Sequence, residues 1–337
     1  MAKKLYVEVG GKTRKAKKGY VSVDGKARKI KKAYVGVDGK ARAFWSGGEL
    51  RYYGTATALS VGRVNIQGVS TSHHALFGGG YNGASKTIVD AYNASLTRTT
   101  PSALQCGGGS GVIGAPAGQY AIFTISDITP YGNTPTLNAD AYDLSLTRST
   151  IAVAKYAHFF MSIPASTQSA AIFSGGCFYE NNALLGPSGS ECYAVTSGLT
   201  IQKINNMSSG ESPTACSFGT NALYAGGSTY ETSENKSKKI ASNTVDAYDT
   251  SLTRTNPTAL SATGFFYGAS LGNYALFASK SNDVNLYDQS LTRTTLRKLS
   301  VERTGVASAT IGNYALYAGG KISNDNYSNA VDVYTID

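Results

Sequence analysis

Short apolar runs that end in glycine alternate with polar, threonine-rich runs along most of the chain. The clearest apolar run is NYALYAGG at residues 313–320. A run of this length, almost continuously apolar and followed by a glycine pair, predicts a strand that is buried on both faces. Related strings occur at residues 73–80, 119–126, 169–176, 221–228 and 273–280. Six copies of one string indicate six copies of one structural unit.

A second repeated string follows the apolar run. It reads VDAYDTSLTRTNP at residues 245–257 and recurs, with few changes, at 89–101, 139–150 and 284–295. Its first half alternates apolar and polar residues with a period of two, which predicts a strand. Its second half is polar and rich in threonine, as an outer edge strand would be. A run of glycine, alanine and serine, such as residues 304–312, predicts an inner strand ahead of the apolar run.

Four short strands per unit, repeated at intervals of 40 to 53 residues, are typical of a β-propeller. No amphipathic run is long enough to predict a helix, so we expect an all-β fold. The last unit ends at residues 331–337 without a fourth strand, whereas residues 50–63 resemble the fourth-strand region at 252–264. We therefore expect an N-terminal strand to complete the last blade and close a ring of six.

The glycine pairs Gly175-Gly176, Gly226-Gly227 and Gly319-Gly320, with the xVDxYD strand that follows them, resemble Kelch-type propellers. The resemblance covers residues 50–337 and implies a fold but little about function. That family usually carries a tryptophan in the fourth strand, and this chain departs from the pattern. Blade three, at residues 190–202, lacks the second string. The tryptophan position is taken by arginines: Arg98, Arg148, Arg254 and Arg293.

Two interpretations of the repeated aspartate and arginine are open. They are either a ligand site repeated on every blade or an internal ladder of ion pairs between the third and fourth strands. We favour the ladder, because a ligand site rarely needs the same residues at the outer edge of every blade.

Positive charge is concentrated at the start of the chain. Residues 1–45 hold 14 Lys and Arg against 3 Asp and Glu, whereas the rest of the chain holds 17 against 18. This asymmetry predicts two parts with different tasks. We place a basic anchoring arm at residues 1–46 and the propeller at residues 47–337.

The arm repeats with a period of 14 residues. Asp24-Gly25 and Asp38-Gly39 each separate two strand-like runs, which is a strong hairpin signal. We expect a small β-meander, whose few apolar residues cannot stabilise it alone, so that it docks or self-associates. Its candidate anchoring residues recur in three series: Tyr6, Tyr20 and Tyr34; Lys12, Lys26 and Lys40; Arg14, Arg28 and Arg42.

Four explanations of the basic arm compete. It binds nucleic acid, an anionic cell-wall polymer, or an acidic protein surface of a larger assembly, or it is simply a solvated basic face. We expect nucleic acid least. Residues 4–45 are similar to N-terminal segments of structural proteins from phages of Firmicutes. This resemblance implies a virion protein, made in the host bacterial cytoplasm, that joins other virion proteins in multiple copies through its arm. The alternative is a bacterial carbohydrate-binding propeller whose arm grips anionic cell-wall polymer.

We predict no catalytic residue, metal site or cofactor, although a hydrolase or oxidase with an unrecognised site stays a third, weaker hypothesis. The three histidines are His73, His74 and His158. Adjacent residues on a strand face opposite ways, so His73 and His74 would make a poor metal pair. The four cysteines have no zinc-type spacing and are expected to be free thiols. No apolar run approaches the length of a membrane span, and the first residues show no secretory signal.

The loops after the second strands are the candidate ligand-facing loops. They vary in length and carry aromatic residues that can stack on a host-surface glycan or contact a protein. The equally plain alternative is that these aromatics only pack the long loops. The tyrosines are Tyr81, Tyr131, Tyr179, Tyr230 and Tyr327.

Overall fold

The computed structural model describes most of the chain from residue 50 onward and separate short segments before it. The described ranges are 6–9, 12–15, 20–23, 26–29, 32–37, 40–46, 50–108, 112–117, 119–125, 138–152, 163–167, 169–174, 178–180, 183–185, 192–196, 201–208, 213–233 and 236–336. Every regular element in these ranges is a β-strand, as the all-β expectation requires. The chain divides into two compact units, residues 1–51 with 335–337, and residues 52–334.

The first unit contains three β-hairpins. Its strands are β1 (Tyr6–Val9), β2 (Lys12–Lys15), β3 (Tyr20–Val23), β4 (Lys26–Lys29), β5 (Lys32–Val37) and β6 (Lys40–Ser46). They form three two-stranded antiparallel sheets, each from consecutive strands. The hairpins predicted around Asp24-Gly25 and Asp38-Gly39 are therefore present, and a third precedes them.

The expected continuous meander is not what the described strands form. Among the described residues, each hairpin forms a two-stranded sheet of its own. The register repeats faithfully at the closed end of each hairpin: Val9 pairs with Lys12, Val23 with Lys26, and Val37 with Lys40.

The strand that follows is β7 (Leu50–Thr55), and most of the later strands lie in four-stranded antiparallel sheets. The first sheet contains β8 (Gln67–Ser70), β9 (Ala75–Gly78), β10 (Val89–Tyr92) and β11 (Arg98–Thr99). The second contains β12 (Val112–Ala117), β13 (Tyr120–Ile125), β14 (Asn138–Tyr142) and β15 (Arg148–Ala152). The third region contains β16 (Ile163–Ser166), β17 (Ala170–Ser174), β18 (Phe178–Glu180), β19 (Ala183–Leu185), β20 (Cys192–Thr196) and β21 (Ile201–Ile204).

The later sheets repeat the same plan. The fourth region contains β22 (Thr214–Phe218), β23 (Asn221–Ala225), β24 (Ser228–Ser233), β25 (Lys236–Ala241), β26 (Val245–Tyr248) and β27 (Arg254–Thr255). The fifth sheet contains β28 (Phe266–Leu271), β29 (Tyr274–Ser279), β30 (Val284–Tyr287) and β31 (Arg293–Leu296). The last region contains β32 (Ala307–Ile311), β33 (Tyr314–Ala318), β34 (Lys321–Ser323), β35 (Asn326–Tyr327) and β36 (Val331–Ile336).

Six four-stranded sheets are present in the described parts of the chain. In the last one the order is β32-β33-β36-β7, so the strand at residues 50–55 is the outer strand of a sheet made otherwise from the C-terminal repeat. This is the pairing that the likeness of residues 50–63 to 252–264 predicts. Blade three also has its outer strand, β21, although its sequence lacks the second string.

Three of the connections treated as loops in the sequence are instead β-hairpins. The pairs β18-β19, β24-β25 and β34-β35 each lie between the second and third strands of a sheet. In β24-β25 the register joins Ser233 to Lys236 and Glu231 to Lys238 across a two-residue connection. The sequence shows no repeat here, because each hairpin belongs to one blade only, so the repeat pattern could not reveal it.

The hydrophobic core lies between neighbouring sheets. One cluster joins Phe77 and Tyr92 of the first sheet to Leu316 and Val333 of the last sheet. Other clusters join the first sheet to the second, the third to the fourth, and the fourth to the fifth. Strands β9 and β10 are buried at every position. The polar residue of the third strand is therefore buried as well. The alternation of apolar and polar residues along this strand does not mean that one of its faces is exposed to solvent.

The repeated YDxSLTRT string makes one type of tight turn. The side chain of Asp249 accepts hydrogen bonds from the backbone N–H groups of Ser251 (2.9 Å) and Thr253 (3.0 Å). Leu252 then adopts φ 62°, the left-handed region, and its side chain packs against the core. The same turn recurs with Leu96, Leu146 and Leu291.

Candidate functional site

In four of the described sheets, the acid of the third strand holds the connection that leads into the inner strand. Asp90 accepts from the backbone N–H of Ser60 (3.1 Å), Asp246 from that of Ser208 (2.9 Å), and Asp332 from that of Ser300 (2.9 Å). In the fifth sheet an asparagine, Asn285, does the same. All four side chains are fully buried. The repeated acid is a fixed acceptor inside the scaffold.

The arginine of the fourth strand lies beside that acid, as the ladder interpretation predicts. The nitrogen-to-oxygen distances are 3.8 Å for Arg98 and Asp90, 3.8 Å for Arg148 and Asp140, and 3.6 Å for Arg254 and Asp246. Arg98 also donates to the backbone carbonyl of Ala58 at 2.8 Å. These arginines are partly exposed, so each ion pair contributes little on its own. The pairs join the outer edge of each of these sheets to the connection that leads into the inner strand of the same sheet.

Asp140 shows the electrostatic balance in this constellation. Burial is the largest effect and raises its pKa, but hydrogen bonds to its carboxylate together outweigh burial and hold the pKa below its ordinary value of 3.8. The donors are the backbone N–H groups of Cys106 (2.8 Å) and Gln105 (2.6 Å) and the hydroxyl of Thr150 (2.8 Å). Asp140 is therefore ionised at neutral pH, and its carboxylate is used in hydrogen bonds within the scaffold.

Two buried arginines that the sequence interpretation missed complete the first and last sheets. Arg63 donates to Asp90 (2.8 Å) and to the carbonyls of Val61, Phe77 and Gly79. Arg303 donates to Asp332 (2.6 Å) and to the carbonyls of Val301, Tyr317 and Gly319. The signal in the sequence is the short repeat Ser60-Val61-Gly62-Arg63 and Ser300-Val301-Glu302-Arg303. Two copies only are too few to stand out.

An open cleft of about 620 Å³ lies where the first and last sheets meet. We call it the seam cleft. Three chain segments line it: Val61 and Gly62, Asn82 and Gly83, and Asp325 to Tyr327. The first leads into the inner strand of the first sheet, and the other two connect second and third strands. It therefore lies on the side of the molecule where ligand-facing loops are expected.

Two of the five candidate ligand-facing tyrosines meet at the seam cleft. The rings of Tyr81 and Tyr327 are 6.2 Å apart and edge-to-face. Lys321 lies with its ammonium 5.6 Å from the centre of the Tyr327 ring. Tyr179 lies on β18 and Tyr230 on β24, two hairpins of other blades, and Tyr131 lies outside the described residues.

Asn82 is fixed at the edge of the seam cleft. Its amide nitrogen donates to the carbonyl of Gly62 at 3.1 Å, which sets the orientation of the amide group. Its Oδ1 atom is buried and has no hydrogen-bond partner among the described residues. Neighbouring backbone contacts hold the turn: Val64 and Tyr81 exchange two hydrogen bonds of 2.9 Å.

The histidines do not form a metal site within the described residues. His73 and His74 lie just before β9, and their rings are edge-to-face at 6.4 Å. Burial first, and then the charge of His73, lowers the pKa of His74. His158 lies outside the described residues. No group of three or more His, Cys, Asp or Glu side chains in the described part of the chain could hold a metal.

The cysteines that the structure describes are free thiols: Cys106, Cys192 and Cys216. Burial raises the pKa of the Cys216 thiol to about 12, so it stays protonated and inert near neutral pH. Cys177 lies outside the described residues. The described part of the chain also contains no helix suited to crossing a membrane.

The candidate anchoring residues of the arm fall on its strands. Tyr6 pairs with Lys15 and Tyr20 with Lys29 across their hairpins. In the third hairpin the register shifts between Ala33 and Tyr34, and Tyr34 pairs with Ala43. The lysines and arginines of the repeat all lie on the second strand of a hairpin: Lys12 and Arg14 on β2, Lys26 and Arg28 on β4, and Lys40 and Arg42 on β6.

Comparisons with known proteins bear on the fold. No protein-family model matches the chain, and no curated protein matches it. Among solved structures 730 chains match, so the architecture is a widespread one that hosts many functions. One of them, described as the structure of YjhT, has a TM-score of 0.58 and 12% identity over 84% of this chain and 99% of that chain. YjhT is a propeller, and likeness at this identity shows a propeller-like all-β fold alone.

Proposed function

We propose that this protein is a non-enzymatic structural component of a bacteriophage particle. Its basic N-terminal arm anchors it to other virion proteins. Its second unit, which we infer to be a closed six-bladed Kelch-like propeller, is displayed for decoration or for adhesion to the host surface. The observation that carries the proposal is the array of three basic hairpins in one repeating register.

The inference of a closed ring rests on the contacts of the inner strands. Strand β8 of the first sheet lies against β12 of the second sheet and also against β32 of the last. Along the other side, β16 lies against β22, β22 against β28, and β28 against β32. A core cluster shared by the first and last sheets supports the same arrangement. A ring of four-stranded sheets protects most strand edges, which suits a protein exposed on a particle.

The arm supports an anchoring role because its hairpins are too small to be independent domains. β1 to β4 have four residues each, and every hairpin has two strands only. Isolated two-stranded hairpins are marginally stable in water, so a partner surface would supply the missing burial. With 14 Lys and Arg against 3 Asp and Glu in residues 1–45, that surface would be acidic.

The absence of enzymatic activity is part of the proposal. The charged constellation that repeats in the described sheets is used internally: the carboxylates of Asp90, Asp140, Asp246 and Asp332 are fully buried. Each accepts hydrogen bonds from the connection it holds. Burial and committed hydrogen bonds leave these groups unsuited to acid–base chemistry on an external substrate.

The second candidate is a bacterial carbohydrate-binding propeller whose arm grips an anionic cell-wall polymer. The same surplus of positive charge favours it, since phosphate-rich polymers and acidic proteins attract the same arm. A binding assay separates the two candidates.

We would compare the full chain with a chain that lacks residues 1–46 and with a triple variant, Lys12→Gln, Lys26→Gln and Lys40→Gln. Each is mixed with purified phage particles and, separately, with purified teichoic acid, and the bound fraction is measured by sedimentation. We expect the full chain to sediment with particles, the truncated chain to stay in solution, and the triple variant to bind weakly. Particle binding by the truncated chain would refute the anchor, and binding to teichoic acid alone would favour the second candidate.

A further inference from the structure

We propose that the seam cleft binds a neutral, hydroxyl-rich saccharide. Its size lies in the range of small-molecule sites, about 300–1,000 Å³, and it is open to solvent from the side that carries the ligand-facing connections. The repeated acids and arginines of the described sheets are not among its lining residues.

The lining has the chemistry that a saccharide requires. Asn82 and Asn326 carry amide groups, and Asp325 carries a carboxylate, so donors and acceptors for hydroxyl groups are close together. Tyr327 adds an aromatic ring, which can cover the apolar C–H face of a sugar while its hydroxyl stays wet. The exposed lining is about equally polar and apolar, which suits a sugar with both hydroxyl groups and C–H faces.

The charge of the lining favours a neutral ligand. Asp325 is the charged side chain in the lining, and the ammonium of Lys321 lies against the neighbouring Tyr327 ring, so the site has no surplus of positive charge that would select an anion. This distinguishes the seam cleft from the arm, whose charge attracts anionic partners. The two parts would therefore bind different chemical classes.

The aromatic platform is held in place before a ligand arrives. Tyr81 packs edge-to-face on Tyr327, and Lys321 lies against the Tyr327 ring. Below them, Ser328 donates its backbone N–H to Gly320 (2.8 Å), and Arg63 donates its backbone N–H to Ser328 (3.2 Å). A tyrosine ring that is already held in place loses little conformational entropy when a ligand binds, so more of the stacking energy contributes to affinity.

Asn82 gives a second, independent observation. Its Oδ1 is buried and without a partner among the described residues, and a buried acceptor without a donor is unfavourable in a folded protein. Asn82 itself lines the cleft, next to the exposed Gly83. A saccharide hydroxyl would then supply the missing donor.

The inference concerns the displayed unit and rests on the proposed function only for its biological setting. Particle anchoring is read from sedimentation and saccharide binding from titration, so either can fail without the other. If a saccharide binds and the truncated chain stays in solution with particles present, both stand.

The test is a titration of the full chain with maltotetraose, cellotetraose, mannotetraose and chitotetraose, monitored by saturation-transfer NMR and calorimetry. We expect at least one to bind with a Kd on the order of 1 mM or tighter. Tyr327→Ala should weaken binding at least about tenfold, while Tyr327→Phe, which keeps the ring, should retain most of it. Tyr120→Ala removes an exposed tyrosine on β13 that does not line the cleft, and should leave binding unchanged.

Three results would overturn the proposal. One is that none of the four tetrasaccharides binds the full chain. Another is binding that Tyr327→Ala and Asn82→Ala both leave unchanged although their melting curves match that of the parent. The third is binding that disappears when residues 1–46 are removed, because the site would then belong to the arm.

Discussion

The guanidinium of Arg303 lies 2.6 Å from the carboxylate of Asp332, and neither side chain reaches solvent. The pair at Arg63 and Asp90 repeats this arrangement at 2.8 Å in the first sheet. Each arginine also donates to three backbone carbonyls. The two sheets that meet at the seam are thus each held by a fully satisfied buried ion pair.

Replacing Arg303 by Met should destabilise the protein strongly. The substitution leaves Asp332 buried with its charge uncompensated and three carbonyls without their donor, which costs about 3 kcal/mol or more. The measurement is equilibrium unfolding in urea. The matched control is Arg98→Met, whose side chain is 28% exposed and whose loss should cost about 1 kcal/mol or less. Equal effects of the two substitutions would mean that the buried pair has no special weight.

Gly319→Ala should be far more damaging than Gly83→Ala. Both glycines have positive φ, 69° and 87°, which costs a residue with a Cβ roughly 1–2 kcal/mol. At Gly319 a Cβ would also lie 2.7 Å from the carbonyl oxygen of Arg63 and 2.3 Å from Ile66, whereas nothing lies within 4 Å at Gly83. We expect a lower melting temperature for Gly319→Ala; similar melting temperatures for the two variants would show that the close approach is absent.

Lowering the pH should reduce the free energy of unfolding, in part because Asp140 becomes protonated. The folded-state pKa of Asp140 is depressed, so its ionised carboxylate stabilises the fold at pH values above the unfolded-state pKa of about 4. That contribution is lost as the pH falls through the lower folded-state pKa. In Asp140→Asn, the stability gained between acid and neutral pH should shrink relative to the parent. Unfolding free energies measured across this range test the point, and parallel curves for parent and variant would contradict it.

Removing residues 1–46 should leave the stability of the second unit largely unchanged, whereas removing residues 1–55 should lower it. The shorter truncation keeps β7, whereas the longer one takes the outer strand from the last sheet. It also removes the hydrogen bond from the Tyr52 hydroxyl to Asp332 (2.7 Å) and the edge contact of Tyr52 with Tyr334 (5.3 Å). We expect cooperative thermal unfolding to persist in the first protein and to be lost or shifted far down in the second. Indistinguishable melting curves would argue against a closing strand.

The sequence predicts much of this fold because most of the four-stranded sheets are built from the same strings. The buried second strand, the turn around Leu252 and the pairing of Arg254 with Asp246 each serve one blade and its neighbour. Repetition therefore amplifies the signal. The strand at residues 50–55 is also found this way, since it is a displaced copy of a repeated segment.

Features that occur once or twice escape this approach. Arg63 and Arg303 occur in two blades only. In another blade the corresponding string is Ser261-Ala262-Thr263-Gly264, with glycine in place of the arginine. The hairpin β24-β25 belongs to a single blade. The seam cleft depends on residues as far apart as Val61 and Tyr327, which only the pairing of the two chain ends brings together. No local pattern encodes such a neighbourhood.

The most direct test of the central claim is quantitative mass spectrometry of gradient-purified phage particles from an induced lysate of the source strain. The account predicts that peptides from the arm and from the second unit co-band with capsid and tail proteins at a constant ratio. It also predicts that a chain without residues 1–46 is absent from the band although it is present, folded, in the lysate. Recovery of the intact protein only in the soluble or cell-wall fractions would contradict the account.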